Sequence, residues 1–584
     1  MIFHDSHDER YRSPLGGVKA GDALTVRLQY DEKGEVFVRL WDGSEKRLPM
    51  ARAGEGWLEA TLPAPELPMV MWYDFRILRD GTETVYAAPR DGLGGVGLVD
   101  AGDPHAWQVT VYDPDYQVPD ALANGSIYQI FPDRFYRGDY QSACARTDTL
   151  WHEDWHDKPA LTRHPESGDN QALDFFGGSL RGIAEKLPYL QALGVTILYL
   201  NPIFRARSNH RYDTGDYTQI DPYLGTNEDF VQLTQAAERR GIRVLLDGVF
   251  NHTGSDSLYF NRYGTYPTVG AYQSRQSPYA DWYTFTEFPD KYECWWDFDT
   301  LPAVRKDNPE YRRFLLGDEG VVPSWLKRGA SGWRLDVVDE LPMELVQKLR
   351  AAGKKARPDA FLLGEVWEDA SNKMAYGKWR SYCLGDTLDG VMNYPLRMAM
   401  LDFFNHRKNA EDTRRFLNHQ REAYPAPFLH GCMNLLGSHD RLRAVNAMNG
   451  YYNEYGDIEE LGDFTLTDEQ LALGKRRYLQ AMTLLCALPG APTVYYGDEI
   501  GMQGMRDPFN RAPMAWDDAD DALRESVAAL LNRRKREPLL RTGKLRVAAP
   551  DEDTLVITRY VDDGVDALGH PMDCGSVTVT VRRD

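Results

Sequence analysis

The chain has 584 residues, 42% of them hydrophobic, and a formal net charge of −21. That length can bury several sizeable cores, and the acidic balance excludes nucleic acid and anionic membrane surfaces as partners, because both call for basic patches. It suits an enzyme with a neutral substrate.

The first residues, Met1-Ile2-Phe3-His4-Asp5, carry no basic stretch followed by an apolar run, so no signal peptide is expected. No apolar stretch approaches the roughly 20 residues that span a bilayer. The six cysteines (Cys144, Cys294, Cys383, Cys432, Cys486 and Cys574) form no CxxC pair. Reduced thiols in a cytoplasmic protein are the expectation.

Residues 1–112 predict a β-sandwich. Thr25–Tyr30 and Val36–Trp41 alternate apolar and polar residues, Asp42-Gly43 is a turn signal, and Met69–Ile77 reads as a further strand. Trp41, Trp57 and Trp72 are expected in the sandwich core, with a sugar-binding patch as the alternative. Asp113–Asp120 has the Pro and Asp content of a linker. From 124 to 536 strands alternate with amphipathic helices. The strands are Ser126–Phe131, Thr196–Leu200, Arg243–Asp247, Gly332–Asp336, Phe361–Glu365, Gly390–Asn393, Asn434–Leu436 and Thr493–Tyr496. The helices between them include Leu180–Leu193, Asp229–Arg240, Pro342–Lys354 and Lys475–Leu488. Eight such units predict a closed (β/α)₈ TIM barrel of the α/β class. A Tyr- and Gly-rich excursion at 253–302 predicts a small inserted subdomain after the third strand. Residues 537–584 predict a short C-terminal β domain, with strands at Thr554–Tyr560 and Val577–Val581.

The acids fall at strand ends. Asp247 ends the third strand, Asp336 the fourth and Glu365 the fifth, and Asp440 follows the seventh. In a barrel these ends share one face, where active sites are built. Any one of the four could be a helix N-cap or a salt-bridge partner, and Asp/His clusters also serve metallohydrolases. Four at four strand ends point to one cleft. Paired carboxylates fit glycoside hydrolysis, in which one attacks the sugar and the other donates a proton. Arg334, two residues before Asp336, points to the same side and favours its carboxylate. Glu365 follows an apolar run with no basic neighbour in sequence, which is expected to keep it protonated.

Asp247-Gly248-Val249-Phe250-Asn251-His252, Gly332-Trp333-Arg334-Leu335-Asp336, Gly364-Glu365-Val366-Trp367 and Gly437-Ser438-His439-Asp440 resemble, in order, the four motifs of the α-amylase family, glycoside hydrolase family 13. Phe175–Leu180 and Ala491–Glu499 are similar to further motifs of its barrel. The resemblance implies a retaining α-glucan hydrolase with Asp336 as nucleophile, Glu365 as acid/base and Asp440 as transition-state stabiliser. It implies that Arg334, His252 and His439 bind the cleaved sugar, that Asp247 supports the cluster, and that Tyr212 offers a stacking ring. Glu340 and Trp367 join the substrate-binding set. The sandwich resembles the N-terminal module of the neopullulanase, cyclomaltodextrinase and maltogenic amylase branch, and similar modules occur in amylopullulanases. α-Glucan oligosaccharides are the expected ligands, and the N-terminal domain is a candidate homodimer contact.

Two departures stand out. Leu301-Pro302-Ala303-Val304-Arg305 replaces the Met-Pro-Lys-Leu-Asn of that branch, and no calcium loop is evident in Tyr136–Tyr140. No cofactor is required, and calcium is left open. Val337-Val338-Asp339-Glu340 resembles the Val-Ala-Asn-Glu of the branch, and carboxylates there should accept sugar hydroxyls in several orientations. A transglycosylase or isomerase, and a noncatalytic glucan-binding protein, are the alternative functions.

Overall fold

The computed structural model describes residues 2–100, 102, 104–142, 146–165, 168, 170–451 and 458–584. Cys144 lies outside them; the five described cysteines are free thiols. Among the described residues no helix is long and apolar enough to cross a membrane.

Two antiparallel sheets form the N-terminal region. One is built on Ala23–Tyr30 and Trp57–Pro63, the other on the long strand Met69–Arg79, which pairs with Glu35–Trp41, Thr82–Ala87 and Trp107–Tyr112. Alternation decides which side is buried. Leu24, Val26 and Leu28 face Val36, Val38 and Leu40 across the core, and the residues between them stay at least partly exposed. The tryptophan that fills this core is Trp107, at 1% exposure, and not those expected from the sequence. Trp57 and Trp72 are half-buried, and Trp41, which pairs with Trp72 across strands, is exposed.

The barrel strands are β1 (Ile127–Ile130), β2 (Ile197–Leu200), β3 (Arg243–Gly248), β4 (Gly332–Leu335), β5 (Phe361–Gly364), β6 (Gly390–Val391), β7 (Met433–Asn434) and β8 (Ala491–Tyr495). All neighbours are parallel, in the order β6-β5-β4-β3-β2-β1-β8-β7, and a Met392–Met433 bridge closes β6 on β7. The pleat sorts their side chains. Ile127, Ile197, Tyr199, Leu245 and Leu363 fill the barrel interior, while Tyr128, Leu198, Leu246, Trp333 and Leu335 pack outward under the helices. The inward parity continues past each strand's last apolar residue. It delivers Gln129, Asn201, Asp247, Arg334, Asp336 and Glu365 to the C-terminal mouth.

Local chemistry sets the helix ends. Thr226 and Asp229 form a reciprocal capping box on Asn227–Glu238, and Thr467 with Gln470 does the same for Asp468–Ala487. The expected helix Leu180–Leu193 is two, Leu180–Glu185 and Leu187–Leu193, with Pro188 in the first turn of the second. Proline lacks the N–H that a continuous helix would require there. The stretch expected to be a linker is a packed strap. Tyr116 and Val118 are buried, and the Tyr116 hydroxyl donates to the Asp389 carbonyl at 3.2 Å. The C-terminal sheet has a third strand, Lys544–Asp551, beside Thr554–Val561 and Gly575–Arg582.

The sandwich is anchored to the barrel helix Ala410–Ala423. Glu422 takes an ion pair from Arg12, lies 3.1 Å from Nε2 of His7, and accepts a hydrogen bond from Ser6 at 3.0 Å. Thr110 donates to the Ala423 carbonyl at 2.6 Å. Burial opposes ionisation of Glu422, but Arg12 and His7 outweigh it and hold the carboxyl down to about 2. Glu422→Gln strands the buried Arg12 charge and should cost about 3–5 kcal/mol at neutral pH. A carboxyl depressed in the fold stabilises fully above its ordinary value of 4.5 and loses that contribution as pH falls toward 2. Urea unfolding of both proteins at pH 7 and pH 3 should therefore show a large gap that narrows in acid. A gap that is equal at both values would contradict the assignment.

Candidate active site

Arg334 is the centre of the mouth. Its guanidinium is fully buried, with Nη1 2.8 Å from Oδ1 of Asp247 and 2.8 Å from Oδ1 of Asp336, and Nη2 2.9 Å from Oε2 of Glu365. Strand register makes this possible, because Asp247 on β3 lies opposite Arg334 on β4, which in turn lies opposite Leu363 on β5. Arg334 therefore does not single out Asp336, and Glu365 has a basic partner that its sequence neighbours do not reveal.

The buried aspartates of this mouth are costly to ionise. Burial pushes Asp336 well above the usual carboxylate range; Arg334 opposes this, while Glu365 and Asp247 add to it. Burial also raises Asp247 and Asp440, with Arg334 opposing in both and Arg511 in the second. Asp247, Asp336 and Asp440 interact closely, so they titrate as a group and not as separate residues. Chemically, the mouth offers one carboxyl placed for attack and a second placed for proton transfer.

The remaining groups order this cluster. Asp247 accepts from the hydroxyls of Tyr199 at 2.7 Å and Tyr212 at 2.8 Å through one oxygen, Oδ2. Gln129 Nε2, which can only donate, lies 2.8 Å from Nδ1 of His439. The proton of His439 therefore sits on Nε2, which faces the Tyr212 hydroxyl at 2.6 Å and Asp440 at 3.2 Å. Burial lowers His439 well below its ordinary value and His252 to about 3, so both rings are neutral and each can donate and accept. Trp295, from the excursion after β3, stacks on His252 with centroids 5.4 Å apart.

Val337 follows Asp336 in a left-handed conformation, φ +38°, which strains a β-branched residue. The turn directs its N–H to Glu365 Oε2 at 2.8 Å. Such strain concentrates where positioning matters. Further out, Glu340 Oε1 accepts from Trp296 Nε1 at 3.3 Å and from the Tyr376 hydroxyl. Two exposed rings from different loops thus share one carboxylate at the rim. Asp339 is not free to meet sugar hydroxyls as expected: Lys373 pairs with it, and the Tyr382 hydroxyl donates to it at 2.7 Å. Trp367, expected in the substrate-binding set, donates its Nε1–H to Glu365 Oε1 at 3.1 Å.

The structure brings Asp247, His252, Arg334, Asp336, Glu365, Trp367, His439, Asp440 and Tyr212 to one mouth, with Glu340 at its rim. Sequence reasoning missed Gln129, Asn201, Tyr199 and Arg511. The first three lie at inward-parity positions of recognised strands, so the pleat could have found them. Arg511 pairs with Asp507 at 2.9 Å and lies 3.7 Å from Asp440; nothing local marks it. Among the described residues no group of three or more His, Cys, Asp or Glu side chains is placed to hold a metal ion.

The family model described as "Alpha amylase, catalytic domain" matches residues 129–543, which contain every residue of this mouth. The chain belongs to the α-amylase family. Among its relatives, the amylopullulanase of Thermoanaerobacterium saccharolyticum is 36% identical, over 100% of this chain and 48% of that protein. Neopullulanase 2 of Thermoactinomyces vulgaris is 35% identical, over 74% of this chain and 66% of that protein. The solved cyclic α-maltosyl-(1→6)-maltose hydrolase of Arthrobacter globiformis, in complex with that cyclic sugar, is 32% identical. It covers 76% of this chain and 90% of its own, with a TM-score of 0.64. These names place the chain in the neopullulanase, cyclomaltodextrinase and amylopullulanase branch of the α-amylase family. The chain spans about half the length of that amylopullulanase.

Proposed function

We propose that the chain is a retaining α-glucan hydrolase that cleaves α-1,4 and α-1,6 glucosidic bonds in maltodextrins, cyclomaltodextrins and pullulan. The observation that carries this reading is the convergence of Asp247, Asp336 and Glu365 on the single guanidinium of Arg334. Asp336 attacks the anomeric carbon, and Glu365 gives its proton to the leaving glycosidic oxygen. Glu365, now a carboxylate, then takes a proton from water, whose oxygen displaces Asp336 and frees the sugar. Asp440 stabilises the positive charge that develops on the ring between the two states. Arg334, His252 and His439 bind the hydroxyls of the reacting sugar, Asp247 holds Arg334 and Tyr212 in place, and the Tyr212 ring stacks on the sugar.

Specificity in this reading is set on the leaving-group side. Trp296 and Tyr376, tied together by Glu340, offer an aromatic ledge there, at 69% and 63% exposure. A flat apolar ledge packs on sugar C–H faces without dictating one linkage. The relatives' names support the same breadth of substrate. Digestion of pullulan followed by chromatography is the test. Panose would sort the enzyme with neopullulanases and maltotriose with amylopullulanases. Panose alone, which keeps its α-1,6 bond, or intact pullulan with rapid loss of amylose, would overturn the α-1,6 cleavage.

The sandwich at 1–112 acts in this reading as a starch-binding-type module in front of the catalytic unit at 124–536, which carries the subdomain at 253–302 and the tail at 537–584. Exposed Trp41 supports that role, and exposed Val96, Leu98 and Val99 support a homodimer contact through the same domain. The buried free thiols of Cys383, Cys432 and Cys486 fit a reducing, cytoplasmic setting.

A further inference from the structure

Among the described residues, every partner of the Glu365 carboxyl is an obligate donor. Oε2 accepts from the Val337 N–H at 2.8 Å and faces Arg334 Nη2 at 2.9 Å. Oε1 accepts from the indole N–H of Trp367 at 3.1 Å. None of the three can receive a proton from Glu365. A carboxyl offers two acceptor positions on each oxygen, so Oε2 is fully addressed and Oε1 keeps one position open.

The indole is itself fixed. Its ring lies parallel to that of Tyr394, with centroids 4.0 Å apart and planes within 3°. Tyr394 is buried at the first turn of the helix Tyr394–Phe404 and cannot shift easily. The Arg441 guanidinium sits 4.2 Å from the Trp367 ring. A ring held in this way fixes where its N–H points, and therefore which position on Oε1 it occupies.

From this geometry we infer that Trp367 is a positioning residue for the acid. By filling one acceptor position of Oε1 it leaves the other as the place where Glu365 carries the proton it delivers to the leaving oxygen. The inference rests on the role of Glu365 given above. Trp367 then acts through Glu365 and need not touch substrate. Removing its N–H lets the carboxyl rotate and the proton occupy unproductive positions.

The test uses Trp367→Phe, which keeps one aromatic ring against Tyr394 while losing the donor and part of the stacked area. Two substrates are compared by kcat/KM: maltotriose, whose leaving sugar must be protonated, and α-maltosyl fluoride, whose leaving fluoride need not be. Expected is a loss of up to about tenfold on maltotriose, the upper end of what one net hydrogen bond contributes, with the fluoride within about twofold of wild type. Trp367→Leu, which also lacks the donor, should show the same split between substrates whatever it does to Tm. A simple packing role would depress both substrates together, and that result, or no loss on either, would overturn the inference. Glu365→Gln is measured alongside. If it fails to split the two substrates, the acid assignment itself falls. If it splits them and neither Trp367 variant does, only the positioning role falls.

Discussion

Asp336→Asn should lower kcat by at least roughly 10⁴-fold, because an amide cannot form the glycosyl ester on which turnover depends. The fold should not suffer. The Asp336 side chain is almost fully buried against Arg334, and burial with two other carboxyls lifts its ionisation well above the usual range. A carboxyl raised in the fold loses stability as pH climbs through its folded pKa, since the buried charge is then forced to form. Asparagine escapes that penalty. The variant should therefore melt at or above the wild-type Tm at neutral pH, with the difference shrinking in acid. Thermal melts at pH 7 and pH 4, together with kcat on maltotriose, check both halves. A variant that is dead because it has unfolded would leave the role of Asp336 unsupported.

Glu365→Gln should cost roughly 10²–10⁴-fold in kcat/KM on maltotriose, the usual range for a lost general acid. On α-maltosyl fluoride the first step needs no proton, so kcat/KM should remain near wild type. Its kcat should still fall, because the second step loses its base. Azide attacks without base assistance and should restore kcat, giving maltosyl azide as product. Equal losses on both substrates with no azide rescue would mean that Glu365 is not the acid. The two variants thus separate two roles that the shared guanidinium alone cannot distinguish, because Arg334 contacts both carboxyls.

The acids were legible in the sequence because each ends an apolar run of recognisable strand length. Pleat parity then places Asp247, Asp336 and Glu365 inside the barrel without knowledge of any other element. The eight strands were legible for the same reason, though β6 and β7 are only two residues each and were read longer. What depends on distant partners was not visible. Glu365 has no basic neighbour along the chain, yet Arg334 reaches it across adjacent strands. Trp367 reads as a substrate-binding residue, and that Tyr394 takes its face and Glu365 its N–H is visible only in the fold. Arg511 enters from a loop after β8 that carries no motif, and Asp339 is turned aside by Lys373 from a hairpin inserted after β5. The sandwich tryptophans were misplaced because alternation reveals that two faces exist, while which face meets the second sheet is decided by packing around Trp107.

A retaining mechanism requires a covalent glycosyl intermediate on Asp336. The direct measurement is to incubate the enzyme with a slowly turned-over fluorinated α-maltosyl fluoride, digest it with a protease, and map the modified peptide by mass spectrometry. One sugar ester is expected, on the peptide carrying Gly332-Trp333-Arg334-Leu335-Asp336, and none in Asp336→Asn. An ester on another carboxylate, or no adduct together with a product of inverted anomeric configuration, would contradict it.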